Sequence, residues 1–292
     1  MVAFAESADL AIRLLDVEVV ETHQSPLQRV ELLRHPKLGL VLVINGEMQH
    51  AEAWQALYHE PLVHLAAAYV PEVKHALVLG GGSLYAASEL LRYPTLERCT
   101  LVDHDPVVLE MMARHYPHAA KVMADPRFTY VVGDALAHIT NSADAFDIVI
   151  NDCLDLLSAE TSADLSPFAA LQGLLKPEGV CADVIYRHLL NYEHINRTRN
   201  ALNSLGNSAI SLVIVPEYPG ALHALTIWGN PNVDQAMRTP RNGIQRLWCR
   251  GVGRPELEFF DPRYLSFHLY VPPFLERAWK SLPDEGAPET EF

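Results

Sequence analysis

Positive charge is in short supply. The chain sets 22 Lys and Arg against 36 Asp and Glu, a formal net charge of −14 over 292 residues. Such a field excludes nucleic acid as a natural partner and suits a cationic small molecule such as an amine. Cysteine is scarce as well. Cys99, Cys153, Cys181 and Cys249 show no C-x-x-C spacing, which fits reduced thiols and offers no zinc signature. The 14 His include no H-x-x-x-H pair or facial-triad spacing on a predicted helix face, so no metal is expected. The chain lacks a basic start leading into a long apolar core, and no apolar run approaches the ~20 residues of a membrane span. A cytoplasmic protein without a membrane partner is expected. Hydrophobic residues at 49% and charged residues at 20% are an ordinary globular balance, and this length suits one large domain with a smaller appendage.

What is present centres on residues 75–105, HALVLGGGSLYAASELLRYPTLERCTLVDHD. An apolar run from Ala76 to Leu79 breaks into Gly80, Gly81 and Gly82; a helical pattern follows, then a second apolar run ending in Asp103. Strand, glycine turn, helix, strand and acid in this order make a nucleotide-binding βαβ unit. Glycines let the backbone approach the ligand, and the carboxylate accepts from ribose hydroxyls. Tyr85 stands where the third glycine of G-x-G-x-x-G belongs. That favours a smaller adenosine ligand, such as an S-adenosyl sulfonium, over a dinucleotide pyrophosphate.

Before this unit, residues 15–49 read as three or four short strands joined by turns at Ser25-Pro26, residues 35–39 and Asn45-Gly46. Residues 51–68 have a helical pattern. Later, helices at 107–115, 167–175 and 192–205 alternate with strands at 128–132, 146–151 and 180–185. Strands at 210–215 and 224–228 then form an expected antiparallel hairpin at the sheet edge. Alternation of this kind predicts an α/β fold with a mostly parallel, Rossmann-like sheet covered on both faces. The expected organisation is a small antiparallel β domain over residues 1–50, the Rossmann-like domain over 51–282, and a disordered tail over 283–292.

In an open α/β sheet the ligand lies outside the carboxyl ends of the strands. Those ends carry Gly80 to Ser83, Asp103, Gly133-Asp134, and Asp152 with Asp155. Each acid alone reads equally well as a helix cap, Asp134 most naturally. Together at one edge they point to a shared site. Asp103 would hold ribose, Asp134 the adenine amino group, and Asp152 and Asp155 are left for chemistry. A carboxylate there attracts a sulfonium and an amine, and can take the proton the amine loses before attack.

These residues resemble the spermidine synthase (polyamine aminopropyltransferase) family over nearly the whole chain. Ser25, Gln28, Gly39, Gly46 and Gln49 match its N-terminal pattern, followed by Glu52 and Tyr58-His59-Glu60. The glycine turn, Asp103, Asp125-Pro126-Arg127 and Gly133-Asp134 come next. Asp152 and Asp155 fall in its D-S-S-D-P loop, Tyr218-Pro219-Gly220 in its Y-P-S-G segment, and Tyr264, His268 and Val271-Pro272 near its end. The resemblance implies alkylation of a small amine from an adenosyl sulfonium, and assembly as a homodimer or larger. It assigns Gln28, Gly80, Gly81, Gly82, Ser83, Asp103, Asp134 and Asp152 to the donor. Gln49, Tyr58, His59, Asp155, Tyr186 and Tyr218 would line the acceptor channel. Asp152 would be the base, with Asp155 and Tyr58 beside it.

The chain departs from that family at informative places. Its G-G-G-D-G turn is here Gly80-Gly81-Gly82-Ser83-Leu84. The missing aspartate would grip the ammonium of a decarboxylated donor and repel the carboxylate of intact S-adenosylmethionine; plant putrescine N-methyltransferases are similar in being altered there. Tyr186 replaces the acid that would hold putrescine's far ammonium, so putrescine is poorly served as acceptor. Intact S-adenosylmethionine is therefore the expected donor, delivering a methyl or aminocarboxypropyl group. The alternatives are an aminopropyltransferase using decarboxylated S-adenosylmethionine and a non-catalytic nucleoside binder. Plainer roles stand beside these: His59 bonded within its helix, Cys153, Trp54 and Tyr85 as packing, and Ser83 as a helix N-cap.

Overall fold

The computed structural model describes residues 1–5, 11–153, 166–186, 208–218, 222–229 and 257–273. The chain opens with a small antiparallel pair, β1 (Val2–Ala5) and β2 (Ala11–Leu14), which the sequence reading left unassigned. Then β3 (Glu18–Gln24), β4 (Arg29–His35), β5 (Gly39–Ile44) and β6 (Glu47–Ala51) form a four-stranded antiparallel sheet in sequence order. Strand geometry sends alternate side chains to opposite faces. In β5, Leu40 and Leu42 enter the main core, while Val41 and Val43 pack with Phe4, Leu14 and Met48 in a smaller one. Asn45 and Gly46 join β5 to β6 with φ of 52° and 83°, the left-handed pair that a two-residue hairpin turn demands.

A 3₁₀ turn at Glu52–Trp54 leads into α1 (Gln55–Tyr69). The expected helix thus starts four residues late. From His59 onward every residue of α1 is buried, as expected for a helix enclosed on all sides. The alternating unit follows: β7 (His75–Gly80), α2 (Tyr85–Leu91), β8 (Arg98–Asp103), α3 (Pro106–His115), α4 (Pro117–Ala124), β9 (Phe128–Val132), α5 (Ala135–Asn141) and β10 (Phe146–Asp152). After it come α6 (Ser166–Gly173), β11 (Leu175–Tyr186), β12 (Ser208–Ile214) and β13 (Leu222–Trp228). The seven-stranded sheet has order β12-β13-β11-β10-β7-β8-β9. β7 to β11 pair parallel, while β13 runs antiparallel between β11 and β12.

The Rossmann-like α/β architecture and the edge hairpin accord with the sequence reading. Two details differ from it. Helix α4 was not anticipated; Pro117 at its first position starts it immediately after α3. Strand β11 begins at Leu175 rather than residue 180, because the chain pairs with Phe146 and shifts register before Ile148. At that irregularity Gly179 passes so close to the Phe146 carbonyl that a Cβ would lie 2.7 Å from its oxygen. The expected helix at 192–205 and the tail at 283–292 lie outside the described residues.

Hydrogen bonds seat the four-stranded sheet on the large one. Ser25 Oγ donates to Asp105 Oδ2 at 2.7 Å, and both residues are buried. Glu21 takes Arg114 and His115 of α3. Glu60 of α1, 1% exposed, accepts the backbone N–H groups of Glu258, Phe259 and Phe260 at 2.7–2.8 Å. Hydrogen bonds to a charged group are worth roughly 1.5–3 kcal/mol each. Glu60→Ala should therefore cost on the order of 3 kcal/mol or more and lower the melting temperature by several degrees, whereas Glu60→Gln keeps an oxygen acceptor and costs less. Scanning calorimetry of the two variants checks this.

Candidate active site

The parallel strands end at one edge of the large sheet, and the turn from β12 to β13 lies at that same edge because β12 runs parallel to β11. There the chain encloses a cavity of about 630 Å³. The four-stranded sheet contributes Gln28, Gln49 and His50; α1 adds Gln55, Tyr58 and His59; the parallel sheet adds Gly80 to Ser83, Asp103, Gly133, Asn151 and Asp152. Residues after β12 close it with Glu217 and Tyr218, and His223 of β13 also lines it. No Lys or Arg lines this cavity among the described residues.

The glycine turn has the predicted form for a stated reason. Gly80 and Gly81 hold φ of 73° and 72°, a region closed to most side chains. A Cβ on Gly80 would collide with Cys153, and one on Gly82 would reach 2.9 Å from Val108 Cγ1 and 3.2 Å from Asp103 Oδ2. The turn therefore brings backbone within reach of both acid-bearing strand ends. Leu84 follows with φ 64°, a strained conformation for a branched residue, costing ~1–2 kcal/mol. Leu84, not Ser83, is the N-cap of α2, and no side chain caps that helix. Ser83 is 9% exposed, and its carbonyl accepts from His118 Nε2 at 3.1 Å.

Asp152, at the end of β10, is the chemical centre of the cavity. Tyr58 Oη donates to its Oδ1 at 2.6 Å. Burial pushes the Asp152 carboxyl up to about 6; the Tyr58 hydrogen bond pulls it back, and the charge of Asp103 adds to the rise. Tyr58 moves well above the usual phenol range, through burial first and then the adjacent Asp152 charge. Asp103 is raised by its own burial, although it accepts the Asp105 N–H. A carboxylate of this kind is ionised near neutrality yet basic enough to accept a proton.

The other expected residues divide. Gln28, Gln49, His59, Gly80, Gly81, Gly82, Ser83, Asp103, Asp152 and Tyr218 all line the cavity with Tyr58. His59 does so while its Nδ1 bonds Gln55 O at 3.0 Å, so its two expected roles coexist. Asp134 stands apart: its Oδ1 accepts Ala137 N–H at 2.7 Å as the N-cap of α5, and only its neighbours Gly133 and Ala135 line the cavity. Asp155 lies outside the described residues. Tyr186 ends β11, with its backbone paired to Ala224. At Cys153, desolvation and then the Asp152 charge push the thiol pKa up, which disfavours the thiolate, although the residue is exposed. Tyr85 is a packing residue, 6% exposed and stacked on His118 at 3.7 Å.

Sequence reasoning missed several lining groups. His50 Nε2 and Gln55 Oε1 are buried without a hydrogen-bond partner among the described residues. Burial takes His50 well below the usual imidazole range and His59 down to about 4, so both are neutral near pH 7. Asn151 donates to Asp183 at 2.9 Å. Glu217 is buried and raised by that burial. Adjacency to Gln49, Asp152 and Tyr218 was the only sequence signal for His50, Asn151 and Glu217, while Gln55 lies one helical turn before His59.

The profile of the spermine/spermidine synthase domain matches residues 55–236. The chain belongs to the spermine/spermidine synthase family. Putrescine N-methyltransferase 3 of Nicotiana tabacum is 30% identical over 229 residues, covering 76% of this chain and 60% of that protein. The chain thus spans about three fifths of the length of that plant relative. Polyamine aminopropyltransferase of Thermoanaerobacter sp. is 27% identical over 282 residues, covering 94% of this chain and 96% of the relative. Spermidine synthase from Thermotoga maritima shares the fold, with TM-score 0.72 at 20% identity over 90% of this chain and 88% of that one. Tyr58, the glycine turn, Asp103, Asp152 and Glu217 all fall inside the segment matched by the family profile, whereas Gln28, Gln49 and His50 precede it.

Removing the Tyr58 hydroxyl takes away the one hydrogen bond that favours ionised Asp152 among the described residues. Tyr58→Phe should therefore move the Asp152 pKa further above about 6. A ¹³C NMR titration of labelled aspartate carboxyls, assigned with Asp152→Asn, reads the shift.

Proposed function

We propose that this chain alkylates a small amine from an adenosyl sulfonium, with Asp152 as the general base. The observation that carries the reading is the Tyr58–Asp152 pair, held at the glycine-turn edge in a cavity that also contains Asp103. Gly80 to Gly82 give the nucleoside a close backbone approach, and Asp103 is placed to accept from ribose hydroxyls. Asp152 takes a proton from the ammonium form of the acceptor. The freed nitrogen lone pair attacks a carbon on sulfur, the carbon–sulfur bond breaks, and its electrons remain on sulfur as a neutral thioether. The remaining contribution is positioning of nitrogen against carbon in a site that holds water back.

Intact S-adenosylmethionine is the proposed donor, with transfer of its methyl or aminocarboxypropyl group. Ser83 presents no charge to the donor's carboxylate, and the neighbouring His50, His59 and Gln55 are neutral. A second reading rests on the lack of lining Lys or Arg among the described residues. It takes the decarboxylated, more cationic donor and transfers an aminopropyl group, in line with the name of the Thermoanaerobacter relative. Calorimetric titration with each donor separates them; tenfold tighter binding of the intact form, about 1.4 kcal/mol, supports the first. A homodimeric, cytoplasmic enzyme belongs to the same proposal; the assembly rests on family likeness and the location on the scattered cysteines of the sequence.

Asp152→Asn should lower turnover by roughly 10²–10⁴-fold while donor binding stays within a few-fold. In the parent enzyme kcat/KM should fall with the ionised fraction as pH drops through about 6. Retained turnover in the variant would remove Asp152 as the base. Stability carries the opposite sign. A carboxyl raised in the folded state favours folding at low pH, and that contribution is lost as pH rises from about 4 through about 6. At about pH 8 the variant should therefore melt no lower than the parent, because it lacks the buried charge.

A further inference from the structure

His50 and Gln55 line the cavity, yet the proposed reaction gives neither of them a task. His50 lies on β6 and is 4% exposed, and Gln55 opens α1. His50 Nε2 and Gln55 Oε1 are buried and make no hydrogen bond among the described residues. A buried polar atom without a partner is costly and calls for a reason. Here two such atoms belong to one cavity wall, a ring nitrogen able to donate and an amide oxygen able to accept.

Ring contacts place this wall beside the glycine turn. The His50 ring lies 4.6 Å from that of Tyr85 and 6.1 Å from that of His59. Tyr85 stacks on His118, whose Nε2 donates to the Ser83 carbonyl. The Gln55 carbonyl accepts from His59 Nδ1 at 3.0 Å. That bond leaves neutral His59 with a lone pair, not a proton, on its other nitrogen. His50 is thus the imidazole on this wall whose N–H is uncommitted among the described residues. Full charges stay outside it. Glu52, two residues after His50, accepts the Leu40 N–H at 3.0 Å and does not line the cavity. Ser83 brings none either.

A ligand group suited to such a wall offers one acceptor and one donor, and carries no net charge. The α-amino acid end of a sulfonium donor meets that description. A lone ammonium would satisfy Gln55 but leave His50 unpartnered. We propose that His50 and Gln55 recognise the amino-acid end of the donor, His50 donating to its carboxylate and Gln55 accepting from its ammonium, and so select the intact over the decarboxylated form. This rests on the adenosyl-sulfonium reading of the cavity, but binding alone tests it. The full-length protein is titrated calorimetrically with S-adenosylhomocysteine, with its decarboxylated analogue and with 5′-methylthioadenosine. All three carry a neutral thioether, so they differ only in the end that meets this wall.

The parent should bind S-adenosylhomocysteine at least about tenfold more tightly than the decarboxylated analogue, because a site built to donate to a group rejects the ligand that lacks it. His50→Phe keeps a ring against Tyr85 and His59 but has no N–H. It should lower S-adenosylhomocysteine affinity about tenfold and leave the other two ligands within about threefold. His50→Gln restores a donor and should recover part of the preference. Gln55→Leu should weaken S-adenosylhomocysteine and the decarboxylated analogue together, with 5′-methylthioadenosine unaffected. Equal or tighter binding of the decarboxylated analogue by the parent overturns the assignment. So does an undiminished preference in His50→Phe, or an equal loss of all three ligands, which would leave His50 as packing for Tyr85. If the preference is present and lost on His50→Phe but no amine is alkylated, the wall keeps its ligand and the proposed reaction fails. If amines are alkylated from the decarboxylated donor alone, the reaction class stands and this inference fails.

Discussion

A single hydrogen bond, from the Tyr58 hydroxyl to Asp152 at 2.6 Å, joins the helix before the parallel sheet to the strand end where chemistry is placed. It works because neither partner is well hydrated. A buried carboxylate would otherwise stay protonated near neutrality, while a buried phenol would leave its proton without an acceptor. Each supplies what burial has taken from the other. The outcome is a carboxyl held at about 6, and α1 locked in rotation over the sheet so that His59 and Gln55 also face the cavity. Glu60 sits next in line and fixes the other side of α1 through three backbone N–H groups.

The cavity follows a consistent electrostatic rule. Asp103, Asp152 and Glu217 line it, lining Lys and Arg are lacking among the described residues, and His50 and His59 are held neutral by burial. All three carboxyls are raised above their ordinary range, and burial is the first cause each time. The site therefore stores unfavourable ionisation that a cationic ligand relieves, converting part of a folding cost into affinity. The net charge of −14 extends that preference beyond the cavity, drawing cations toward the molecule before any contact forms.

Local pattern made much of the architecture readable. The glycine turn and Asp103 belong to one continuous βαβ unit, whose hydrogen-bonding and steric demands are met within about 30 residues. The edge hairpin was readable because two apolar runs lie close in sequence. The β1–β2 pair was not, since four-residue strands carry too little alternation to stand out. Ser83 shows the limit of a local rule. Serine before a helix reads as a cap, yet the left-handed Leu84 takes that position. The strained turn is set by contacts with Asp103, Val108 and Cys153, from elsewhere in the chain.

By itself the sequence determined the α/β alternation, the acids at the strand ends and the expectation of a cationic nucleoside ligand, because each follows from short-range periodicity and side-chain chemistry. Tertiary structure alone decided which acids share one cavity. Asp134 turns to cap its own helix, an option open to any acid at a helix start. Tyr58 meets Asp152 across 94 residues, and Glu217 meets Ala51 across 166. Such pairings depend on how helix and sheet faces pack, and no spacing within the chain encodes the direction in which a side chain is finally buried.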